Sequence, residues 1–63
     1  MLNLDLIRQR RKDRGFSLEY MAENVGYQTA NGYWCLETGK VKATVDRLIA
    51  IARTLGLRYD DIL

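Results

Sequence analysis

Gln28, Thr29 and Asn31, with Ala30 between them, form a run of short side chains suited to reading the edges of base pairs. An Asn or Gln amide can bond N6 and N7 of adenine together, and a Thr hydroxyl can donate, accept or touch a thymine methyl. Each good bidentate contact is worth roughly 1–3 kcal/mol of discrimination between bases. The same polar residues would serve equally well as the cap of a helix. Other chemistry is scarce. No His is present, so neither a Ser-His nor a Cys-His nucleophile pair can form. Cys35 is the sole cysteine, which rules out an intrachain disulfide and leaves too few ligands for zinc. No metal, cofactor or enzymatic activity is expected. The adjacent Asp60 and Asp61 read as favourable charge at a helix start rather than as a general acid–base pair.

Charge is distributed unevenly around that polar run. Residues 8–14 carry five cations against Asp13, residues 15–39 carry none, and cations return at Lys40, Lys42, Arg47, Arg53 and Arg58. A nucleic-acid partner would be held by two basic flanks around a neutral reader, although a charge run also describes an ordinary solvated helix face. The 63 residues are 48% apolar and 29% charged, which describes one small globular domain. Such a chain hides only about 60% of the surface its unfolded form exposes, so its core is small. No apolar run approaches the roughly 20 residues that cross a bilayer, and no cationic leader opens the chain. With its lone thiol, the chain suits the cytoplasm.

Helix signals place the polar run. Asn3, Ser17 and Thr44 are expected N-caps, Gln28 or Thr29 caps the helix between them, and Gly15, Gly26, Gly39 and Gly56 stand where apolar periodicity stops. Leu4, Ile7 and Arg11 share one face of a first helix; Leu18, Met21, Ala22 and Val25 form the stripe of a second. Phe16 and Met21 have hydrophobic-staple spacing. In the third helix, ending near Thr38, Tyr33 and Leu36 turn inward. Gly32 within it costs about 1 kcal/mol relative to Ala, which means a close backbone approach or little else. Val45, Leu48, Ile49, Ala52 and Leu55 form the stripe of a fourth helix, and Tyr59 to Leu63 a short fifth. Trp34 is read as packing against the domain, with a place against a sugar–phosphate backbone as the alternative. Cys35 is read as a small apolar filler. The second and third helices, joined across Val25-Gly26-Tyr27-Gln28, have helix-turn-helix form, in which the second enters a major groove N-terminus first.

Across nearly its whole length the chain resembles the phage Cro and repressor (XRE-like) helix-turn-helix family. The resemblance lies in IRQRRKDRGFSLEYMAENVGY, GYWCLETGK and TVDRLIAIARTLGLRYDDIL. Four spacings carry it, in order: Arg11 to Gly15, Ser17 to Ala22, Glu37 to Lys40, and Ala52 to Gly56. It implies an all-α, compact five-helix lambda-repressor-like domain over residues 1–63, its helix-turn-helix near 17–38. It also implies binding to an operator in double-stranded DNA, usually as a homodimer, by a repressor-like transcriptional regulator. Gln28, Thr29, Ala30 and Asn31 would then read bases. Thr38, Lys40, Lys42 and Arg10 would contact phosphates, with a solvated loop as the plain alternative for the two lysines. Arg11 and Glu37 would form a structural ion pair.

Departures from the family pattern are specific. Gly26 to Asn31 holds one residue more than the commonest spacing, so two base-reading registers, one position apart, fit. Leu18 stands where many relatives place a phosphate-clamping Gln. The competing reading is a protein-interaction module, antitoxin-like or anti-regulator, that uses the fold without reading bases. The apolar end Ile62-Leu63 is the expected dimer contact.

Overall fold

In a computed structural model, which describes residues 2–63, the chain is helical throughout and has no strand among those residues. The elements are α1 (Leu4–Asp13), α2 (Leu18–Val25), α3 (Ala30–Glu37) and α4 (Val45–Leu55), followed by a single 3-10 turn, Tyr59–Ile62. Each α-helix starts on a side-chain oxygen that accepts a backbone N–H three residues on: Asn3 from Leu6, Ser17 from Tyr20, Thr29 from Gly32 and Thr44 from Arg47. Thr29 thus caps α3, and Gln28 stays outside it. α2 and α4 end on Gly26 and Gly56, whose φ values of 98° and 72° belong to the left-handed region that favours glycine.

The buried side chains form one cluster drawn from every element, centred on Ile7, Met21, Tyr33, Leu36, Ile51, Leu55 and Ile62. Phe16 packs against this cluster, as its staple spacing leads one to expect, and its ring also stacks 4.4 Å from Tyr20. α2 packs chiefly on α3 and α4, which sets the helix-turn-helix on the body of the domain.

Three expectations need correction. The buried arc of α4 comprises Leu48, Ile51, Ala52 and Leu55, whereas Val45 is 59% exposed and Ile49 also lies outside. At about 100° per residue both overlapping stripes of α4 span a single face, so periodicity alone does not choose between them; packing against α2, α1 and the closing turn buries the one that includes Ile51. The fifth helix is one 3-10 turn, because α4 ends on Gly56 and the Asp61 carboxylate accepts the Arg58 N–H at 3.0 Å, closing a tight loop. Ile62 at its end is fully buried and its carbonyl accepts the Asn3 N–H at 2.7 Å. Ile62 is therefore core and cannot serve as a dimer contact; Leu63 remains half exposed.

Candidate nucleic-acid interface

α3 has two unlike faces. Tyr33, Leu36 and Glu37 fill the inward arc, which leaves Asn31, Trp34, Cys35 and Thr38 on the outward one. Trp34 is 36% exposed, so most of it is covered, but it lies outside the buried core cluster, whose inward arc is taken by Tyr33. Gln28 and Asn31 are exposed at the N-terminal end of this face, beside the exposed cap Thr29 and the half-buried Ala30. The Thr29 hydroxyl oxygen accepts the Gly32 N–H at 3.1 Å and keeps its own O–H free to donate. The Asn31 amide reaches only Cys35 Sγ, at 4.0 Å, and the Gln28 amide has no side-chain partner among the described residues. Cys35 is a half-buried free thiol on the same outward face.

The turn ahead of α3 is held from two sides. The Gly26 and Tyr27 N–H groups both donate to the Ala22 carbonyl, at 3.0 and 2.9 Å. From α4, the Arg47 guanidinium lies 4.0 Å from the Tyr27 ring centroid and donates to the Gly26 carbonyl at 3.3 Å. Tyr27 in turn meets the Tyr33 ring edge-on at 6.2 Å. A Cβ at Gly32 would sit 3.3 Å from the Tyr27 ring, so the glycine makes room for a side chain rather than for a neighbouring backbone. Neither Tyr27 nor Arg47 is singled out by sequence; an unexplained Gly within a helix was the only signal.

At the other end of α3, Glu37 is completely buried. Its carboxylate accepts a forked pair of bonds from Arg11, Nε to Oε2 at 3.0 Å and Nη2 to Oε1 at 3.0 Å, while Arg11 Nη1 donates to the Phe16 carbonyl at 3.1 Å. This planar fork ties α1 to α3 and to the entry of α2. Arg8, one of the five cations of residues 8–14, stands nearby with Nε 3.8 Å from Glu37 Oε1 and no hydrogen bond of its own. The Tyr33 hydroxyl is likewise buried without a hydrogen-bond partner. Burial above all, and then the negative Glu37 beside it, pushes the Tyr33 phenol far above its ordinary value, so it stays protonated.

Beyond Glu37, the backbone N–H groups of Thr38, Gly39 and Lys40 donate to the carbonyls of Trp34, Leu36 and Cys35 at 3.0, 3.0 and 2.9 Å. The Thr38 hydroxyl also donates to Trp34 O at 3.0 Å and, more weakly, to Cys35 O at 3.3 Å. These groups close α3 and are not free to meet phosphate. The exposed side chains of Lys40 and Lys42 are what this segment offers an anion. Arg10 is half-buried on α1 and forms no ion pair among the described residues. Leu18 opens α2 and packs against the core, so no phosphate clamp stands there.

A helix-turn-helix family model matches residues 7–62, from within α1 to the end of the closing turn. The chain belongs to the helix-turn-helix family. The Cro and repressor resemblance points to this same family, one of DNA-binding transcriptional regulators rather than enzymes. No curated protein and no solved structure matched the chain. Among the described residues of this helix-turn-helix domain, no helix is long and apolar enough to cross a membrane, and no group of His, Cys, Asp and Glu could hold a metal ion.

Proposed function

We propose that this domain is the sequence-specific, double-stranded DNA-binding unit of a repressor-like cytoplasmic regulator, with α3 lying in the major groove. The observation that carries this reading is the pair of exposed amides, Gln28 and Asn31, at the N-terminal end of a helix whose opposite face is locked into the core. Thr29 and Ala30 complete the reading segment. Lys40, Lys42 and Arg10 position the domain on phosphates, and Thr38 supports them by closing the helix that Lys40 follows. Arg11 and Glu37 act on binding only by holding α3 in place. Base readout belongs to the amides and positioning to the cations. The domain binds as a dimer, each copy taking one half-site.

Selection from a pool of random duplexes tests this reading. Enrichment of a short site repeated as an inverted pair is expected. An unenriched pool, with all binding lost at moderate salt, would sink it.

A second reading has its own observation. Trp34 and Cys35 lie on the outward face beside Asn31, α3 carries no cation, and the exposed Glu19 and Glu23 stand on the neighbouring helix. Such a face suits a protein partner, and an unenriched pool would favour it.

A further inference from the structure

The outward face of α3 changes character along the helix. Its start offers amides: Asn31, with Gln28 just ahead of the helix, is exposed to solvent. The Asn31 Nδ2 leans on Cys35 Sγ at a weak 4.0 Å, which still leaves one N–H and the Oδ1 acceptor free. The next turn is apolar, with Trp34 in the exposed class and the half-buried Cys35 beside it. No charge stands anywhere on this face. Residues 15–39 contain no Lys or Arg, and the one carboxylate of α3, Glu37, is buried against Arg11.

Each base presents its own edge in the major groove. Guanine shows the acceptors O6 and N7, which suit Arg or Lys, and cytosine shows an N4 donor, which suits Asp or Glu. The outward face of α3 has neither kind of side chain. Adenine shows N6–H beside N7, which a primary amide matches in full, and thymine shows a 5-methyl group, which takes an apolar contact. The face has both of these. Glu19 and Glu23 are exposed on α2, but the first helix of the motif crosses the DNA backbone and does not enter the groove.

We propose that the base pairs beneath α3 are adenine–thymine pairs, with the Gln28 and Asn31 amides on adenine and Trp34 against the thymine methyl. The assignment rests on the DNA-binding reading and adds two things to it: the class of base read, and a reading residue beyond Asn31. Trp34 follows Asn31 by three residues, so the two are neighbours on the helix surface, about 5–6 Å apart at Cβ. Successive nucleotides on one strand lie roughly 3.4 Å apart along the duplex axis. An amide and an indole at that spacing therefore address adjacent or next-adjacent base pairs. Covering the methyl removes apolar surface from water on both partners, the exposed part of the indole included.

The test starts from the site selected out of random duplexes. The pairs beneath α3 are those whose preference relaxes in Asn31→Ala, together with their immediate neighbours. Affinity of the full chain is then measured for the selected site and for the same site with uracil in place of those thymines, which removes only the methyl groups. The pairs beneath α3 are expected to be adenine–thymine, and each lost methyl should weaken binding about three- to fivefold. In Trp34→Ala the difference between the thymine and uracil duplexes should shrink below twofold. Circular dichroism checks that this variant is folded; if it is not, the comparison of the two duplexes by the unaltered protein decides alone. Guanine–cytosine pairs beneath α3, or equal affinity for the two duplexes, would overturn the proposal and leave the DNA reading standing. A full uracil penalty in a folded Trp34→Ala would overturn the role of Trp34. A pool with no enriched site would overturn the DNA reading and this proposal with it.

Discussion

The two faces of α3 treat polar groups in opposite ways. On the inward face Glu37 is wholly buried, and its carboxylate is gripped by the Arg11 fork. On the outward face the Asn31 amide, with that of Gln28 just ahead of the helix, is exposed without a strong partner. A buried charge must be paired at home, because losing its partner leaves the full cost of desolvation. An exposed amide bonded only to water carries no such penalty and is available to a ligand. In one eight-residue helix, satisfied and unsatisfied polar groups therefore separate what holds the fold from what can bind.

Substitutions can break this contrast at either face, and the largest effect belongs to the inward one. Glu37→Gln strands the Arg11 guanidinium in a part-buried site and should cost about 3–5 kcal/mol. In a domain this small, roughly 4–8 °C of melting temperature is lost per kcal/mol, so thermal denaturation should show the melting temperature lowered by roughly 12–40 °C. A melting temperature within a few degrees of the original would mean that the pair does not anchor the helix.

Next in size is the salt dependence of DNA binding. Three phosphate-contacting cations give a slope of log affinity against log salt of about −3 per domain, at about −0.9 per phosphate. Replacing Lys40 and Lys42 together by Ala should reduce that slope by about 2 without altering stability. An unchanged slope would remove both lysines from the interface.

Arg47→Ala tests whether the turn is held from α4. Loss of the stack on Tyr27 and of the bond to Gly26 should cost about 1 kcal/mol, read as a drop of several degrees in melting temperature. No change would show that the Ala22 carbonyl holds the turn unaided.

The smallest effect is expected at Tyr33. Its hydroxyl is buried and unpartnered, so Tyr33→Phe should leave stability near neutral pH unchanged or slightly raised. The phenol is harder to ionise in the folded than in the unfolded chain. Its contribution is therefore fully present below the ordinary value of 10.0 and is lost as pH rises above it. Denaturant unfolding between neutral and strongly alkaline pH should show the loss, and Tyr33→Phe should flatten it. An equally steep decline in the Phe variant would place the cause elsewhere.

What could be read from the sequence was what depends on near neighbours. The caps at Asn3, Ser17 and Thr44 involve a side chain and an N–H three residues away, so type and spacing suffice. The choice of Thr29 over Gln28 needed the backbone, because only the extended Thr29 puts its hydroxyl over Gly32 N–H. The outward position of Asn31 followed from helical period alone. α4 was misread because its two apolar stripes differ by less than a turn, and which one is buried is decided by α2 and α1 rather than by α4 itself. Trp34 was read only in outline: at 36% exposure much of the ring is covered, yet its place on α3 keeps it out of the core cluster that Tyr33 and Leu36 join. The Arg47 stack on Tyr27 joins residues 20 positions apart, Arg8 reaches Glu37 across 29, and neither pairing leaves a local pattern. Thr38 was expected among the phosphate contacts, but its hydroxyl donates to the Trp34 and Cys35 carbonyls at the end of α3, a bond that sequence spacing does not reveal.

The most direct measurement compares the wild type with Asn31→Ala in two readouts: melting temperature, and the ratio of affinity for the selected site to that for a scrambled duplex. The expected result is an unchanged melting temperature and unchanged affinity for scrambled DNA, with the ratio reduced by about tenfold to a hundredfold. An unchanged ratio, or a loss of affinity shared equally by both duplexes, would contradict the assignment of base reading to the outward face of α3.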